Sequence, residues 1–400
     1  MALTPEQLKN LPEGFVLLYQ ELEDFIIEDI SRRMAKAGKV TDTAKWQAIK
    51  AKEIGIALED IKKKIKEINN ISESDLKELL NYASEKSIKQ DNEIYTKAGL
   101  DPLKIKGNKA LESIVNSAFK QTAGELFNLT ASLGFATTVG GKIVYKDIAK
   151  YYHKALDLAV LQISSGTLDY NTAIRNAIKE LSNSGIRYID YESGWSNSIE
   201  AAVRRAVMTG SSQMAQKLTL EGIEQMGAEY VETTAHAGAR PTHAEWQGQV
   251  FCYKGKSDKY PDFVESTGYG TGDGLGGWNC RHNFFPFYPG ITSRAYSDKD
   301  LKNIDPPPFE YNGKNYTYYE ATQKQRAMER AIRKTKKELI GYNAAGLNTD
   351  FKNASVKLKQ QERKYKEFSK VADIPTEKDR LQVLGFNRNV AQKSVWANKK

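Results

Sequence analysis

Apolar residues recur every three or four positions through the first half of the chain, a spacing that places them on one face of a helix. The first such series lies within residues 15–30, and others begin near Leu76 and Leu111. By contrast, Gly140 and Gly141 lie between β-favouring residues, a pattern that predicts a short hairpin. We therefore expect residues 1–205 to form a mostly helical region. The first apolar series consists of Phe15, Leu18, Leu22, Phe25, Ile26 and Ile30.

The pattern changes within residues 206–304. Residues 230–234 are rich in β-branched side chains and predict a strand, and residues 235–300 hold three of the four histidines and both cysteines, together with many glycines and aromatics. This segment predicts a small, glycine-rich α+β domain. Three successive prolines at 306–308 then block both helix and regular strand pairing, so residues 305–322 are expected to form an extended linker followed by an Asn-Gly hairpin.

The C-terminal part again has helical periodicity. Apolar series within residues 323–340 and 355–371 predict an antiparallel helical hairpin over residues 323–372, with a loop at 341–353 and a basic tail over residues 373–400. The predicted fold class is therefore α+β and mostly α, with a helical N-terminal half, a small central α+β domain and a basic C-terminal hairpin.

The formal net charge of +9 is concentrated at one end of the chain. Residues 1–320 contain 39 Lys+Arg and 42 Asp+Glu, whereas residues 321–400 contain 20 and 8. This asymmetry favours binding to a polyanion such as nucleic acid, and a solvated lysine-rich surface is the alternative. The candidate DNA-contacting residues are Arg326, Arg330, Arg333, Lys334, Lys336, Lys337, Arg363 and Lys364.

Composition excludes some classes of protein. No apolar stretch approaches the roughly 20 residues of a membrane-spanning helix, so no membrane partner is expected. Two cysteines in 400 residues are typical of a cytoplasmic protein and not of a secreted, disulfide-rich one.

The segment at residues 236–248 has the features of a short helix. Pro241 suits its first position, because the missing N–H would have no partner there, and Gly248 suits a left-handed residue at its end. His243 and Trp246 are three residues apart and would share a face of this helix.

A second motif at residues 268–282 alternates glycines with other residues and ends in Trp-Asn-Cys-Arg-His. The glycines permit close approach of the backbone to itself or to another chain. The segment has neither the Gly-Lys-Ser/Thr ending of a P-loop nor a strand-then-helix context, so a nucleotide site is not predicted.

Four side chains in these two motifs are of the types that zinc prefers: His236, His243, Cys280 and His282. Their spacing matches no standard zinc finger. Two interpretations remain open, a structural zinc site closed by four protein ligands and a loop-rich domain held by hydrogen bonds and aromatic packing without metal. Neither interpretation assigns a catalytic residue.

These motifs also carry a family resemblance. They resemble the phage minor capsid protein 2 family of phages and prophages of Gram-positive bacteria, itself distantly similar to the head-morphogenesis proteins typified by the F protein of phage Mu. The residues that carry the motifs are Gly238, Arg240, Pro241, Trp246, Gly248, Gly270, Gly277, Trp278, Asn279 and Arg281.

The resemblance implies a structural, non-enzymatic protein of a tailed-phage head. Its expected location is the virion near the portal, after synthesis in the host cytoplasm, with roles in head assembly and DNA packaging or delivery. The implied partners are the portal protein and other head proteins, and the basic hairpin adds double-stranded DNA bound without sequence specificity. No small-molecule substrate is expected. The alternatives are a metal-dependent nuclease or transferase and a free nucleic-acid-binding protein of the cell.

Overall fold

The computed structural model of the chain describes residues 3–37, 43–139, 142–153, 155, 157, 170–189, 196–255 and 257–398. The named helices are α1 (Pro5–Asn10), α2 (Glu13–Ala37), α3 (Thr43–Lys97), α4 (Lys109–Ala131), α5 (Tyr170–Ser184), α6 (Ile199–Met226), α7 (Pro241–Ala244), α8 (Phe263–Thr267), α9 (Asp298–Lys302), α10 (Tyr318–Ala345), α11 (Asn348–Val371) and α12 (Arg388–Ala397). The strands are β1 (Leu133–Val139), β2 (Lys142–Asp147), β3 (Arg187–Ile189), β4 (Ser196–Ser198), β5 (Tyr230–Thr233), β6 (Val250–Cys252), β7 (Phe284–Phe287), β8 (Phe309–Tyr311) and β9 (Lys314–Tyr316).

This content of secondary structure confirms the predicted fold class, mostly helical with small antiparallel sheets. Among the described residues, no helix is both long and apolar enough to cross a membrane. The strands β1 and β2 pair where a hairpin was predicted, with Val139 opposite Lys142. The predicted turn residues themselves, Gly140 and Gly141, lie outside the described residues.

The chain divides into two compact units, each assembled from separated segments. Unit 1 consists of Met1–Gly14, Ile71–Leu126 and Arg204–Thr322. Unit 2 consists of Phe15–Asn70, Phe127–Val203 and Gln323–Lys400. The pattern of the sequence predicts consecutive ranges instead, because periodicity carries no information about which distant segments pack together.

Unit 1 contains a three-stranded antiparallel sheet with β5 in the middle, between β6 and β7. Its core is aromatic: Phe251, Phe263 and Phe284 are almost fully buried, and the rings of the last two meet edge to face at 4.9 Å. Cys280 belongs to the same cluster. The cluster joins the sheet to the glycine-rich segment, and the burial of these rings stabilises both.

Unit 2 contains the sheet of order β2-β1-β3-β4 and the helical hairpin of α10 and α11. Side-chain hydrogen bonds join residue 325 to 369, residue 329 to 365 and residue 338 to 357, so the two helices run antiparallel. They are longer than predicted, and only residues 346–347 separate them in place of the expected loop at 341–353. Helix-compatible residues such as Tyr342 and Phe351 continue the two helices through that stretch.

Candidate functional site

Three of the four predicted metal ligands lie together in unit 1. The Nδ1 atoms of His243 and His282 are 3.4 Å apart, and Sγ of Cys280 is 3.7 Å from each of them. All three side chains are buried, with at most 3% of their surface exposed. The structure therefore brings together one thiol and two imidazoles, which are donor types that zinc prefers.

Short local structures position these side chains. His243 lies in α7, which begins at Pro241 as the sequence predicts, and its ring packs against Trp246 at a centroid distance of 4.7 Å. Cys280 and His282 are alternate residues just before β7, and both side chains point towards the ring of His243. The site thus joins one short helix to the start of one strand.

Hydrogen bonds fix the orientation of both imidazoles. Nε2 of His243 lies 2.8 Å from the carbonyl oxygen of Asp273, and Nε2 of His282 lies 3.1 Å from Oε1 of Gln247. Both partners are acceptors, so each Nε2 carries the proton of a neutral ring and each Nδ1 has a lone pair. The backbone N–H of His236 donates to the same Gln247 oxygen at 3.0 Å, which supports this orientation of the amide. No pattern in the sequence indicates Gln247 as part of the site.

Burial governs the electrostatics of the cluster. Desolvation lowers the pKa of His243, and it lowers the pKa of His282 well below the usual value, with charge repulsion from His236 and His243 as further causes. Burial also raises the pKa of the Cys280 thiol. At neutral pH the rings are therefore uncharged, the form in which an imidazole can bind a metal.

His236, the fourth predicted ligand, is close to the site but does not join the cluster. Its ring stacks on that of His282 at a centroid distance of 4.4 Å. Its Nδ1 lies 2.8 Å from the carbonyl oxygen of Ala237 and 3.3 Å from a guanidinium nitrogen of Arg281. Among the described side chains, only His243, Cys280 and His282 form a group with metal-ligand geometry. His236 is predicted as a ligand because it lies in the same sequence motif as His243, but the sequence does not show where its ring points.

The glycine-rich segment wraps closely around itself. A Cβ on Gly277 would lie 2.1 Å from the carbonyl oxygen of Gly272, so a larger residue cannot be accommodated there. The backbone N–H of Trp278 donates to that same carbonyl at 2.7 Å, while the Trp278 ring is 61% exposed. Gly270 lies in this segment, and Asn279 adopts a left-handed φ of 56°.

The other motif residues connect this segment to its surroundings. The Arg240 guanidinium donates to the carbonyl oxygen of Trp278 at 2.9 Å, and the backbone N–H of Gly238 donates to Asp305 at 2.6 Å. Gly248 has the predicted left-handed φ, 67°, but α7 already ends at Ala244. A Cβ on Gly248 would lie 2.5 Å from a methyl group of Leu301, so close packing explains this glycine better than helix termination.

The predicted DNA-contacting residues of α10 lie mostly on its inner side. Lys337 is buried, and its Nζ lies 2.8 Å from Glu23 and 3.1 Å from Glu200. Arg333 pairs with Glu200 at 2.8 Å, and Lys336 donates to the carbonyl oxygen of Leu381 at 2.7 Å. The charged groups of these three residues therefore have partners within unit 2. Arg326 and Lys334 are half-buried, and Arg330 is exposed.

Within the helical hairpin, the exposed basic residues are instead concentrated on α11. Positions 352, 359, 363, 366 and 370 are seven, four, three and four residues apart, a spacing that aligns them on one face of a helix. Arg363 and Lys364 had been predicted, but Lys359, Lys366 and Lys370 had not, although their spacing could have identified them. We refer to the following five residues as the basic stripe: Lys352, Lys359, Arg363, Lys366 and Lys370.

Comparison with known proteins assigns the family. The family described as phage minor capsid protein 2 matches residues 3–370. A protein of Lactococcus phage LL-H named "Structural protein" is 24% identical over 310 residues, which cover 73% of this chain and 77% of that protein. No solved structure matches the chain. Because the family match extends over most of the sequence, the chain belongs to the phage minor capsid protein 2 family.

Proposed function

We propose that this protein is a structural component of a tailed-phage head, located near the portal, that binds other head proteins and contacts the packaged DNA. Membership of the minor capsid family supports the structural role in a phage head, and the name of the Lactococcus phage LL-H relative supports it as well. The basic stripe on α11 carries the part that concerns DNA.

The dimensions of the basic stripe suit a DNA duplex. From residue 352 to residue 370 the helix rises about 27 Å, which is most of one turn of B-DNA. All five side chains are exposed, and Arg363 pairs with Glu367 at 3.5 Å. Cations in this arrangement displace counterions from phosphates, so binding would depend on salt and not on base sequence.

Neutralising the stripe tests the contact with DNA. We expect Gln at all five positions to reduce the affinity for a random duplex and to reduce the magnitude of the slope of log K against log salt by as much as about 4.5. Filter binding at several salt concentrations measures both quantities. The matched control replaces five exposed lysines of α3 by Gln, where basic and acidic residues are balanced: Lys63, Lys66, Lys77, Lys89 and Lys97.

Both variants lose the same formal charge, so a difference between them reports the position of the charge. If the α3 control weakens binding as much as the α11 variant, net charge alone attracts DNA and the stripe has no special role. If neither variant changes the salt slope, the proposal of a DNA contact is wrong.

The location in the virion requires a separate test. Both units are assembled from separated segments, so the full-length protein is the appropriate sample. We expect mass spectrometry to find it in purified heads, and cross-linking of those heads to link it to the portal protein. Its absence from purified virions would contradict the structural role. Its presence without portal cross-links would limit the proposal to a head protein of another location.

A metal-dependent hydrolase is the alternative, because three protein ligands leave a coordination position open. Two observations favour a structural role. The three potential ligands are at most 3% exposed, which leaves a phosphodiester little access to a metal ion there. Asp262, a carboxylate of the same domain that could act as a base, instead caps α8 by accepting a 2.7 Å hydrogen bond from the backbone N–H of Glu265. Cleavage of plasmid DNA that requires divalent metal and is abolished by His243→Ala would support the hydrolase.

A further inference from the structure

We propose that unit 1 binds one zinc ion through Nδ1 of His243, Sγ of Cys280 and Nδ1 of His282, with a water molecule as the fourth ligand. This site would go beyond the proposed role in the phage head, since it concerns how the protein holds its own shape. Residue types, distances, hydrogen bonding and burial each contribute to the inference.

The distances between the three donor atoms are those of a coordination tetrahedron. With zinc–sulfur and zinc–nitrogen bonds of about 2.3 and 2.05 Å, a regular tetrahedron has a sulfur–nitrogen edge of about 3.6 Å and a nitrogen–nitrogen edge of about 3.4 Å. The corresponding distances here are 3.7 Å, 3.7 Å and 3.4 Å. All three edges of one face therefore fit zinc without movement of the side chains.

The hydrogen bonding of the two imidazoles also favours a metal ion. Because each Nε2 donates its proton to an oxygen atom, both Nδ1 atoms face each other as acceptors in a buried place. The Cys280 thiol has a single proton and can satisfy only one of them. A metal ion accepts both lone pairs and the thiolate at once, and it removes the cost of a buried acceptor without a donor.

The surroundings resemble the outer shell of a metal site. Ligating histidines usually donate their second ring N–H to a carbonyl or carboxylate oxygen, which fixes the ring and strengthens the ligand. The carbonyl of Asp273 and the amide oxygen of Gln247 have this role for His243 and His282 respectively. The Asp273 carbonyl belongs to the glycine-rich segment, so zinc would fasten that segment to α7 and to the start of β7.

Metal content tests the proposal on the full-length protein, purified without chelator. We expect about one zinc per chain, and after exchange with cobalt we expect the intense visible absorption of a four-coordinate ion and a thiolate-to-cobalt charge-transfer band. Cys280→Ser should lose both the charge-transfer band and most of the metal. Cys252→Ser is the matched control, because Cys252 is also buried but its thiol donates to the carbonyl of Lys254.

Two further variants define the ligand set. His236→Gln should retain about one zinc per chain, because that ring stacks on a ligand without joining the cluster. Gln247→Leu should keep the ligands but lower the zinc affinity about 10–100-fold, because it removes an outer-shell acceptor.

Several outcomes would overturn the inference. Wild-type protein without zinc that also gives no thiolate band with cobalt would exclude the site, and this measurement does not depend on whether any variant folds. Loss of zinc in His236→Gln would replace the three-ligand arrangement by one of four protein ligands. A cobalt spectrum of six-coordinate type would contradict the tetrahedral geometry.

Discussion

Helices α10 and α11 are both rich in lysine and arginine, yet their cations have opposite environments. On α10, Arg333 and Lys337 lie inside unit 2 and pair with carboxylates of α2 and α6. On α11, the basic stripe faces solvent along its full length. Similar composition in two adjacent helices therefore supports two different roles, a structural one for α10 and a proposed binding one for α11.

The difference follows from what each inner face packs against. The inner face of α11 is apolar, with Phe351, Leu358, Tyr365 and Phe368 buried, so its cations must lie on the other side. On α10, by contrast, Lys337 pairs with the buried Glu23 and with the half-buried Glu200. Paired charges can be buried where a single one cannot, because each partner offsets the desolvation of the other.

The largest expected effect is the loss of stability in Lys337→Met. Removal of the ammonium leaves the buried carboxylate of Glu23 without its cation, while Glu200 keeps Arg333, so we expect the free energy of unfolding to fall by about 3–5 kcal/mol. Lys366→Met on α11 is the matched control and should change it by less than about 0.5 kcal/mol. Urea unfolding at neutral pH measures both.

Equal stability of the two variants would contradict the comparison between the helices. It would mean either that the acids around Lys337 become neutral at little cost or that water enters to solvate them. Measurement of Glu23→Gln in the Lys337→Met background separates these cases, because Glu200 keeps Arg333 as a partner and replacement of Glu23 should raise the stability only if that acid is charged in the single variant.

Periodicity predicted the elements of this hairpin but not the side of α10 on which each cation lies. The apolar residues Ile332 and Leu339 mark one face of α10, whereas Arg333 and Lys337 lie about 100° and 140° around the helix from Ile332. Arg333 and Lys337 pair with acids that lie more than 130 positions away in the sequence, Glu200 and Glu23. The stripe on α11 could be read from spacing alone, because it needs no partner.

For the candidate metal site, too, the sequence indicates local features but not the contacts between distant residues. The alternation of Cys280 and His282, and the helical proximity of His243 and Trp246, are local features that the sequence indicates. The meeting of these two motifs, and the position of the His236 ring outside the cluster, depend on the tertiary packing that brings residues 243 and 282 together. The spacing of these residues in the sequence does not predict that packing.

A smaller effect is expected on the pH dependence of stability. Burial raises the pKa of Asp24 to about 7, although Lys337 and the backbone N–H of Gly385 both lower it. The folded protein therefore takes up a proton near neutral pH, whereas the unfolded chain does so only near the ordinary value of about 3.8. The contribution of this group to stability accordingly decreases as the pH rises from about 4 to about 7 and stays low above that.

Asp24→Asn should remove this dependence, because an amide keeps an acceptor for Gly385 but does not ionise. We expect the variant to gain stability relative to the wild type as the pH rises from 5 to 8, by an amount on the order of 1–3 kcal/mol. Thermal unfolding over this pH range measures the difference. Glu28→Gln, on an exposed position of α2, is the control and should show a constant difference. A constant difference for Asp24→Asn as well would mean that Asp24 remains ionised in the folded protein.

The smallest expected effect distinguishes single exposed cations on the two helices. Lys366→Gln removes one member of the basic stripe and should lower the salt slope of DNA binding by about one. Arg330→Gln on α10 removes an exposed arginine whose neighbours Arg333 and Lys337 are held inside, so its change in slope should be smaller. Equal changes would extend the DNA contact across both helices. A larger change for Arg330→Gln would move the proposed binding surface from α11 to α10 and would remove the contrast between them, because a continuous stripe would then bind less DNA than an isolated charge.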